Sequence, residues 1–222
     1  MKRKLYIFGT KNFGELSHYY FSTDSNYEVV GFTLDAAYMG ESSFLGLPVI
    51  PYEELRKSAS REDTDIFVAI GIADINELRA KKFLEVQNDG FRLASFLSTK
   101  SHVPDDFVLH PNTMVMDHVA THPHIRVGCN SIIWSNTRMA WRSAVGDHAW
   151  VTSAVLGETS FVGDYSFIGI SATIGPFVQV GKRNLIGAGA MILEDTADNA
   201  IYRSPRSVAS AATTLRARKL IR

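Results

Sequence analysis

The sequence predicts an α/β domain of parallel sheet followed by a β-solenoid and a short C-terminal helix. Three observations predict it. Over about the first hundred residues, short apolar runs alternate with helix-patterned stretches. From Val103 the helical periodicity stops and a period of six replaces it. From Ala209 to Arg222 the pattern turns helical and basic, with Arg216, Arg218, Lys219 and Arg222 read as a solvated face.

In the first part, Leu5 to Phe8 reads as a buried strand, followed by Gly9-Thr10-Lys11-Asn12-Phe13-Gly14 and a helix from Glu15 to Phe21. Tyr27 to Leu34 is a second strand ending at Asp35, and Pro48 to Ile50 a third. Pro51 opens a helix through Leu55, as proline in a first turn does. Ile66 to Ile70 is a fourth strand ended by Gly71. Ile75 to Gln87 is a helix stopped by Asn88-Asp89-Gly90, and Phe91 to Leu97 is a fifth strand. Buried strands separated by helices indicate a parallel sheet with right-handed crossovers. Such sheets bind ligands at the carboxyl ends of their strands.

In the second part, aliphatic or near-aliphatic residues stand at Val103, Leu109, Val115, Val127, Ile133, Met139, Val145 and Val151, with Thr121 as a miss. The phase slips by one residue and resumes at Leu156, Val162, Ile168, Ile174, Val180, Ile186 and Ile192. Glycine follows many of them, as at Gly128, Gly146, Gly157, Gly163 and Gly181. Four residues after each stands a small or short residue such as Ser131, Ser143, Ala149 or Ala172, with Val155 and Val178 as larger occupants. Three hexads make one triangular coil. The aliphatic points inward, the small residue fits beside a corner, and glycine relieves the turn. Stacked coils then bury a continuous core. A sandwich of short strands would show period-two alternation instead.

Composition bounds the function. Hydrophobic residues make up 45% of the 222 residues and charged ones 21%, near globular averages, which excludes a disordered chain. Lys plus Arg and Asp plus Glu are 23 each, so no global charge points to nucleic acid or an anionic membrane. A single cysteine, Cys129, excludes an internal disulfide and a thiolate metal site and suits a reducing cytosol. The apolar run after Met1 is too short for a signal peptide or membrane span. A soluble cytoplasmic protein is expected.

The Gly9–Gly14 spacing places a Gly-x-x-x-x-Gly loop between strand and helix, where backbone N–H groups favour a phosphate. A tight turn without ligand reads equally from these residues, and the GxGxxG spacing of a dinucleotide fingerprint is missing. Asp35 reads as a ribose or base acceptor, or as a turn cap. His118, His122 and His124 have HxxxH-like spacing, but Pro123 and the hexads exclude a helix here. They are read as solvated turn residues, and no metal is expected. Packing is the reading for Trp134 and Trp150.

The hexads over residues 103–193 resemble the left-handed parallel β-helix of hexapeptide-repeat acyltransferases. A small Rossmann-like domain ahead of it is similar to the bacterial sugar acetyltransferases related to sialic acid O-acetyltransferase. That group includes the N-acetyltransferases of bacillosamine and perosamine synthesis. Local matches are Ile7-Phe8-Gly9, Gly46-Leu47-Pro48-Val49-Ile50, and Val68-Ala69-Ile70-Gly71 followed by Asn76 and Arg79. Ile186-Gly187-Ala188-Gly189-Ala190 and Ile201-Tyr202-Arg203-Ser204-Pro205 match near the end. The resemblance implies a nucleotide-sugar-binding domain at 1–100, an acyltransferase β-helix at 101–195 and a C-terminal loop and helix at 196–222. It also implies acetyl-CoA as co-substrate, and a homotrimer with sites between neighbouring β-helices. The activity implied is N-acetylation of a nucleotide-linked amino sugar for surface polysaccharide, such as the O-antigen of lipopolysaccharide. Sugar O-acetylation and a degenerate binding protein are the alternatives. Neither nucleic acid nor membrane insertion is implied.

By the same resemblance Gly9, Thr10, Asp35 and Gly71 hold the nucleotide, and Trp141 and Arg142 adjoin the acceptor. The family's histidine base stands two residues after an inward aliphatic. Counting from Met139 places Trp141 in that slot. Indole only donates a proton and guanidinium stays charged, so neither Trp141 nor Arg142 is a base. Three readings stand side by side. A well-placed amine attacks without a base, another histidine (His148 or His124) serves, or the chemistry is lost. For CoA, the resemblance points to backbone at Ala172, Gly187 and Ala188, and to Lys182, Arg183, Arg203 and Arg206 for phosphates. Arg203-Ser204-Pro205-Arg206-Ser207 departs from the family's Gly-x-Pro-Ala-Lys ending.

Overall fold

The computed structural model describes residues 2–209. The expected tail helix begins at the last of these and so lies outside the described residues.

The N-terminal domain runs β1 (Arg3–Phe8), α1 (Asn12–Thr23), β2 (Tyr27–Leu34), β3 (Ser43–Phe44), β4 (Leu47–Pro51), α2 (Tyr52–Ser58), β5 (Thr64–Val68), α3 (Glu77–Asn88) and β6 (Arg92–Leu93). Its sheet has the order β3-β4-β2-β1-β5-β6, parallel except where β3 meets β4. Both faces are covered. Leu5, Ile7, Phe32 and Phe67 pack with Phe13 and Phe21 of α1. Phe8, Ile66 and Val68 pack with Tyr52 and Leu55 of α2 and Phe83 and Val86 of α3. Strands buried on both sides read as continuous apolar runs, which is why β1 and β5 are legible in sequence. The chain runs outward from β1 through β2 and β4, then returns to β5 on the other side. The strand order therefore reverses between β1 and β5, and at such a switch point parallel sheets form a ligand crevice beyond the carboxyl ends of the strands. The opposite ends are tied by the fully buried Asp65 carboxylate. It accepts from Arg3 at 2.6 Å, Arg92 at 2.6 Å and the Tyr27 hydroxyl at 2.9 Å.

The expected single strand from Phe91 to Leu97 is divided. Arg92–Leu93 pairs with β5, whereas Phe96–Leu97 pairs with Met114–Val115 and is the first rung of the solenoid. The solenoid thus starts ahead of residue 101. It is a left-handed parallel β-helix of two-residue strands on three faces. The first face carries seven strands, from Phe96–Leu97 to Ile201–Tyr202. The second carries five, from Ala120–Thr121 to Met191–Ile192, and the third four, from Arg126–Val127 to Gln179–Val180. The segment 196–222, expected as loop and helix, contributes the Ile201–Tyr202 strand against Leu185–Ile186.

The inward series from Val115 to Ile192 forms one buried core. Ser131, Ser143, Ala149, Ser166 and Ala172 are fully buried beside it, as the hexads predict. Two details differ. The glycines do not make the turns. The left-handed corner residue comes three positions after the inward aliphatic and is usually not glycine: φ is +58° at His118, +64° at His124, +56° at Arg142 and +59° at His148. Gly163 is needed because a Cβ there would stand 2.6 Å from the Gly181 carbonyl carbon of the next coil. The phase slip is a corner shortened by one residue. It turns Ala154 inward and leaves Val155 outward, 41% exposed.

The domains share a core. Phe96, Met114, Met116, Ile132 and Trp150 on the first face pack with Phe13, Phe21 and Phe67 of the sheet domain. Trp150 meets Phe13 edge-on at 4.9 Å and Trp134 at 5.8 Å, so both tryptophans are packing residues. Among the described residues no helix is long and apolar enough to cross a membrane.

Candidate active site

The corner between the third and first faces meets the sheet domain through a ladder of stacked side chains. Asn112, Asn130 and His148 occupy the same corner position in successive coils, 18 residues apart. The Asn112 amide accepts from the Val68 N–H at 2.7 Å and donates to Asn130 Oδ1 at 2.7 Å. Asn130 Nδ2 donates to His148 Nδ1 at 2.8 Å, which leaves the imidazole proton on Nε2. The His148 ring is 9% exposed, lies 4.8 Å from the Tyr165 ring and meets Phe83 edge-on at 5.5 Å. Burial pushes its pKa below the ordinary imidazole value; Asp147 opposes this and Arg79 adds to it.

Arg79 of α3 drives the junction together. Its guanidinium is fully buried and donates to the carbonyls of His148 at 2.9 Å, Gly71 at 3.2 Å and Ala149 at 3.3 Å, and to Asn76 Oδ1 at 2.9 Å. Asn76, left-handed at φ +67°, donates in turn to the Tyr165 carbonyl at 2.8 Å. Burial pushes Arg79 down to about 9, so it stays charged at neutral pH. Asn76 and Arg79, quoted above as local matches, therefore bind the two domains to each other.

At the carboxyl edge the structure brings Gly9, Thr10, Asp35 and Gly71 to the ends of the adjacent strands β1, β2 and β5. A Cβ on Gly9 would stand 2.7 Å from the Ala69 carbonyl oxygen, and one on Gly14 would strike the Gly9 carbonyl. The two glycines let α1 start hard against the strand ends. Gly14 lies inside the first turn of α1, not in a loop. Asp35 accepts from Lys82 Nζ at 2.5 Å, and Lys82 is buried over the rings of Phe8 and Tyr52 at 4.8 and 5.1 Å. The sequence reading missed Lys82, because nothing local marks a lysine whose partner is 47 residues away.

Trp141 and Arg142 stand at another corner, between the second and third faces. Trp141 is 37% exposed, and the Arg142 guanidinium stacks 4.2 Å above its ring. His124 occupies the same corner one coil earlier, and the Arg142 N–H reaches the Pro123 carbonyl at 3.4 Å. His124 Nδ1 lies 3.2 Å from Asp106 Oδ2, one coil earlier again. A groove of about 580 Å³ opens here, lined by Asp106, His110, His124, Arg126, Arg142 and Thr159 among others. His148 is at a different corner, so the two histidine candidates do not share a site. Among the described residues no cluster of three His, Cys, Asp or Glu side chains could hold a metal.

The CoA candidates are dispersed on one chain. Ala172 is interior, and its N–H and carbonyl are spent on Gly169 and Val155. Gly187 donates to Tyr202 and accepts from Ala190, whereas Ala188 is exposed. Lys182 pairs with Asp164 at 2.8 Å, and Arg183 pairs with Glu77 at 2.8 Å and stacks on Tyr165 at 4.6 Å, both on the ladder's corner. Arg203 and Arg206 are exposed.

No family model matches the sequence. Among solved structures, the chain is similar to the acetyltransferase domain of PglB from Neisseria gonorrhoeae: 22% identity, 90% of this chain and 95% of that one, TM-score 0.80. The same domain solved with acetyl coenzyme A matches at TM-score 0.74, with 22% identity over 90% and 96% of the two chains. PerB from Caulobacter crescentus, solved with CoA and GDP-perosamine, matches at 22% identity over 89% of this chain and 92% of that one, TM-score 0.80. The chain thus shares, over nearly its whole length, the fold of a sheet domain seated on a left-handed β-helix.

Proposed function

We propose that this chain is an acetyl-CoA-dependent N-acetyltransferase that acts on a nucleotide-linked amino sugar in surface-glycan synthesis. The observation that carries the reading is the whole-chain likeness, at TM-score 0.80, to PglB's acetyltransferase domain and to PerB. The crevice between β1 and β5 takes the nucleotide. There the first-turn N–H groups of α1 face the diphosphate, and Asp35, steadied by Lys82, offers its second oxygen to a ribose hydroxyl. The acceptor amine sits at the Trp141 corner, where the indole face packs on a sugar ring. CoA lies along the lower coils near Ala188, with Arg203 and Arg206 exposed to its phosphates.

The protein works as a homotrimer in the cytosol. Val155, Ile170, Phe177, Met191 and Leu193 are 41–68% exposed on the second face and its two corners. A patch of that kind belongs against a partner surface, and association would bring CoA and acceptor residues of neighbouring chains together. The single half-buried thiol of Cys129 suits a reducing compartment.

Calorimetry with CoA comes first, then thiol release with UDP-, dTDP- and GDP-linked amino sugars, and sedimentation for the assembly. Saturable CoA binding, turnover with one amino sugar and a three-chain mass are expected. No CoA binding overturns the enzyme reading. CoA binding without turnover on any amino sugar, but with turnover on a hydroxyl acceptor, replaces it with O-acetylation.

A further inference from the structure

We infer that His124, oriented by Asp106, is the base that takes the proton from the attacking group of the acceptor. This rests on the transferase reading above. Its ground is the geometry of the groove at the Trp141 corner.

A base has to stand beside the site, be open to solvent or substrate, and have a nitrogen to spare. Trp141 and Arg142 offer no lone pair for a proton. His148 is on the ladder's corner, is 9% exposed, and has its Nδ1 already accepting from Asn130. His118 is at the corner between the first and second faces. Two histidines line the groove, His110 and His124. Of these His124 has a carboxylate within 3.2 Å of Nδ1. A carboxylate at one ring nitrogen holds the proton there and turns the other nitrogen into the acceptor. His124 Nε2 is then free to face the groove, one coil above Arg142, at a strand spacing of about 4.8 Å.

The surroundings suit the task. The groove's volume of about 580 Å³ is ample for a sugar residue. Arg126 and Arg142 line it and make no ion pair among the described residues. Two guanidinium groups there favour anionic parts of the acceptor.

The neutral amine's lone pair attacks the thioester carbonyl carbon as one N–H proton passes to His124 Nε2. The C–N bond forms and the tetrahedral oxyanion collapses. The C–S bond breaks, and the leaving thiolate takes the proton from the imidazolium. The products are the amide and free CoA thiol, with His124 returned to its neutral state.

The test uses the full-length protein and the variants His124→Gln, Asp106→Asn and His110→Gln. In the free protein, imidazole ¹⁵N shifts should show His124 with its proton on Nδ1, and Asp106→Asn should release that tautomer. A proton on Nε2 in the wild type overturns the inference whether or not a substrate is known. With the acceptor that the wild type acetylates, kcat/KM should fall by about 100-fold or more in His124→Gln. It should fall roughly 10-fold in Asp106→Asn and by less in His110→Gln than in His124→Gln, with CoA affinity constant throughout. The acid limb of the pH–rate profile should vanish in His124→Gln. Retained kcat in His124→Gln, or a loss confined to His110→Gln, overturns the inference and leaves the transferase reading intact. A wild type that binds no CoA overturns the transferase reading instead.

Discussion

Replacing Arg79 with methionine should loosen the seat of the sheet domain on the β-helix. The guanidinium is fully buried and has two hydrogen bonds at 2.9 Å, to Asn76 Oδ1 and the His148 carbonyl, with longer ones to Gly71 and Ala149. A hydrogen bond to a charged group contributes about 1.5–3 kcal/mol, so the two short bonds contribute about 3–6 kcal/mol. Methionine would recover some packing over Trp150, whose ring lies 5.2 Å from the guanidinium carbon. It would also remove the cost of burying a charge, the cost that holds Arg79 at about 9. Against this, carbonyls from both domains would be left buried without a donor. The net expectation is a loss of about 3–4 kcal/mol. For a chain of this size that corresponds to a fall in Tm of roughly 6–16 °C. Calorimetry and urea unfolding measure it, and protease sensitivity between Ile70 and Asn76 should rise in parallel. A change below about 1 kcal/mol with unaltered proteolysis would refute the reasoning, because the carbonyls would then not depend on Arg79.

Other outcomes follow from the same structure. Burial alone would push the Asp65 carboxyl up, but bonds from Arg3, Arg92 and Tyr27 hold it below its usual range. Its contribution is therefore complete above the ordinary carboxylate pKa and is lost as pH falls below about 4. Asp65→Asn should be less stable at neutral pH by about 3 kcal/mol and show a flatter acid dependence in urea titrations between pH 3 and 6. His148 behaves oppositely to a stabilised cation. Its folded pKa lies below 6.5, so the unfolded chain takes the proton first and stability declines as pH falls below that value. His148→Gln should remove that decline, which is at most about 1.4 kcal/mol per pH unit; an unchanged slope would mean another group is responsible. Gly163→Ala places a methyl 2.6 Å from Gly181 of the next coil and should cost about 1–3 kcal/mol by thermal melt. A neutral result would show that the coils can part at that edge.

The elements with strong local patterns were legible in the residues. Tyr27 to Leu34 is both the predicted and the observed β2, and the inward aliphatic series became the solenoid core. What could not be read depended on contacts across the chain. Phe91–Leu97 is a continuous apolar run, and only pairing with β5 on one side and Met114–Val115 on the other divides it between two sheets. The role of the hexad glycines was misassigned because close approach of a neighbouring coil and a left-handed φ leave the same signature in one sequence. His124 was visible as a candidate, but Asp106 was not. Their relation appears only once 18 residues are seen to make one coil. The Asn112–Asn130–His148 ladder was missed for the same reason, although its spacing of 18 stands openly in the sequence.

That ladder also sets where the molecule tolerates a change of length. A solenoid grows by whole coils, and each coil is one rung. Between Asn112 and Tyr165 the rungs are keyed one by one to Val68, Arg79 and Asn76. An extra coil inserted there would lift the keyed partners apart by one strand spacing and unseat the sheet domain. Among the described residues after Asn184 there is no such partner in the sheet domain, and the last described strand closes the seven-stranded face. Coils can therefore be added or removed at the lower end without moving the crevice relative to the Trp141 corner. The length of the β-helix is thus independent of the spacing between the crevice and the Trp141 corner, the one changeable by duplication near Ile186 and the other held fixed by three asparagines and an arginine.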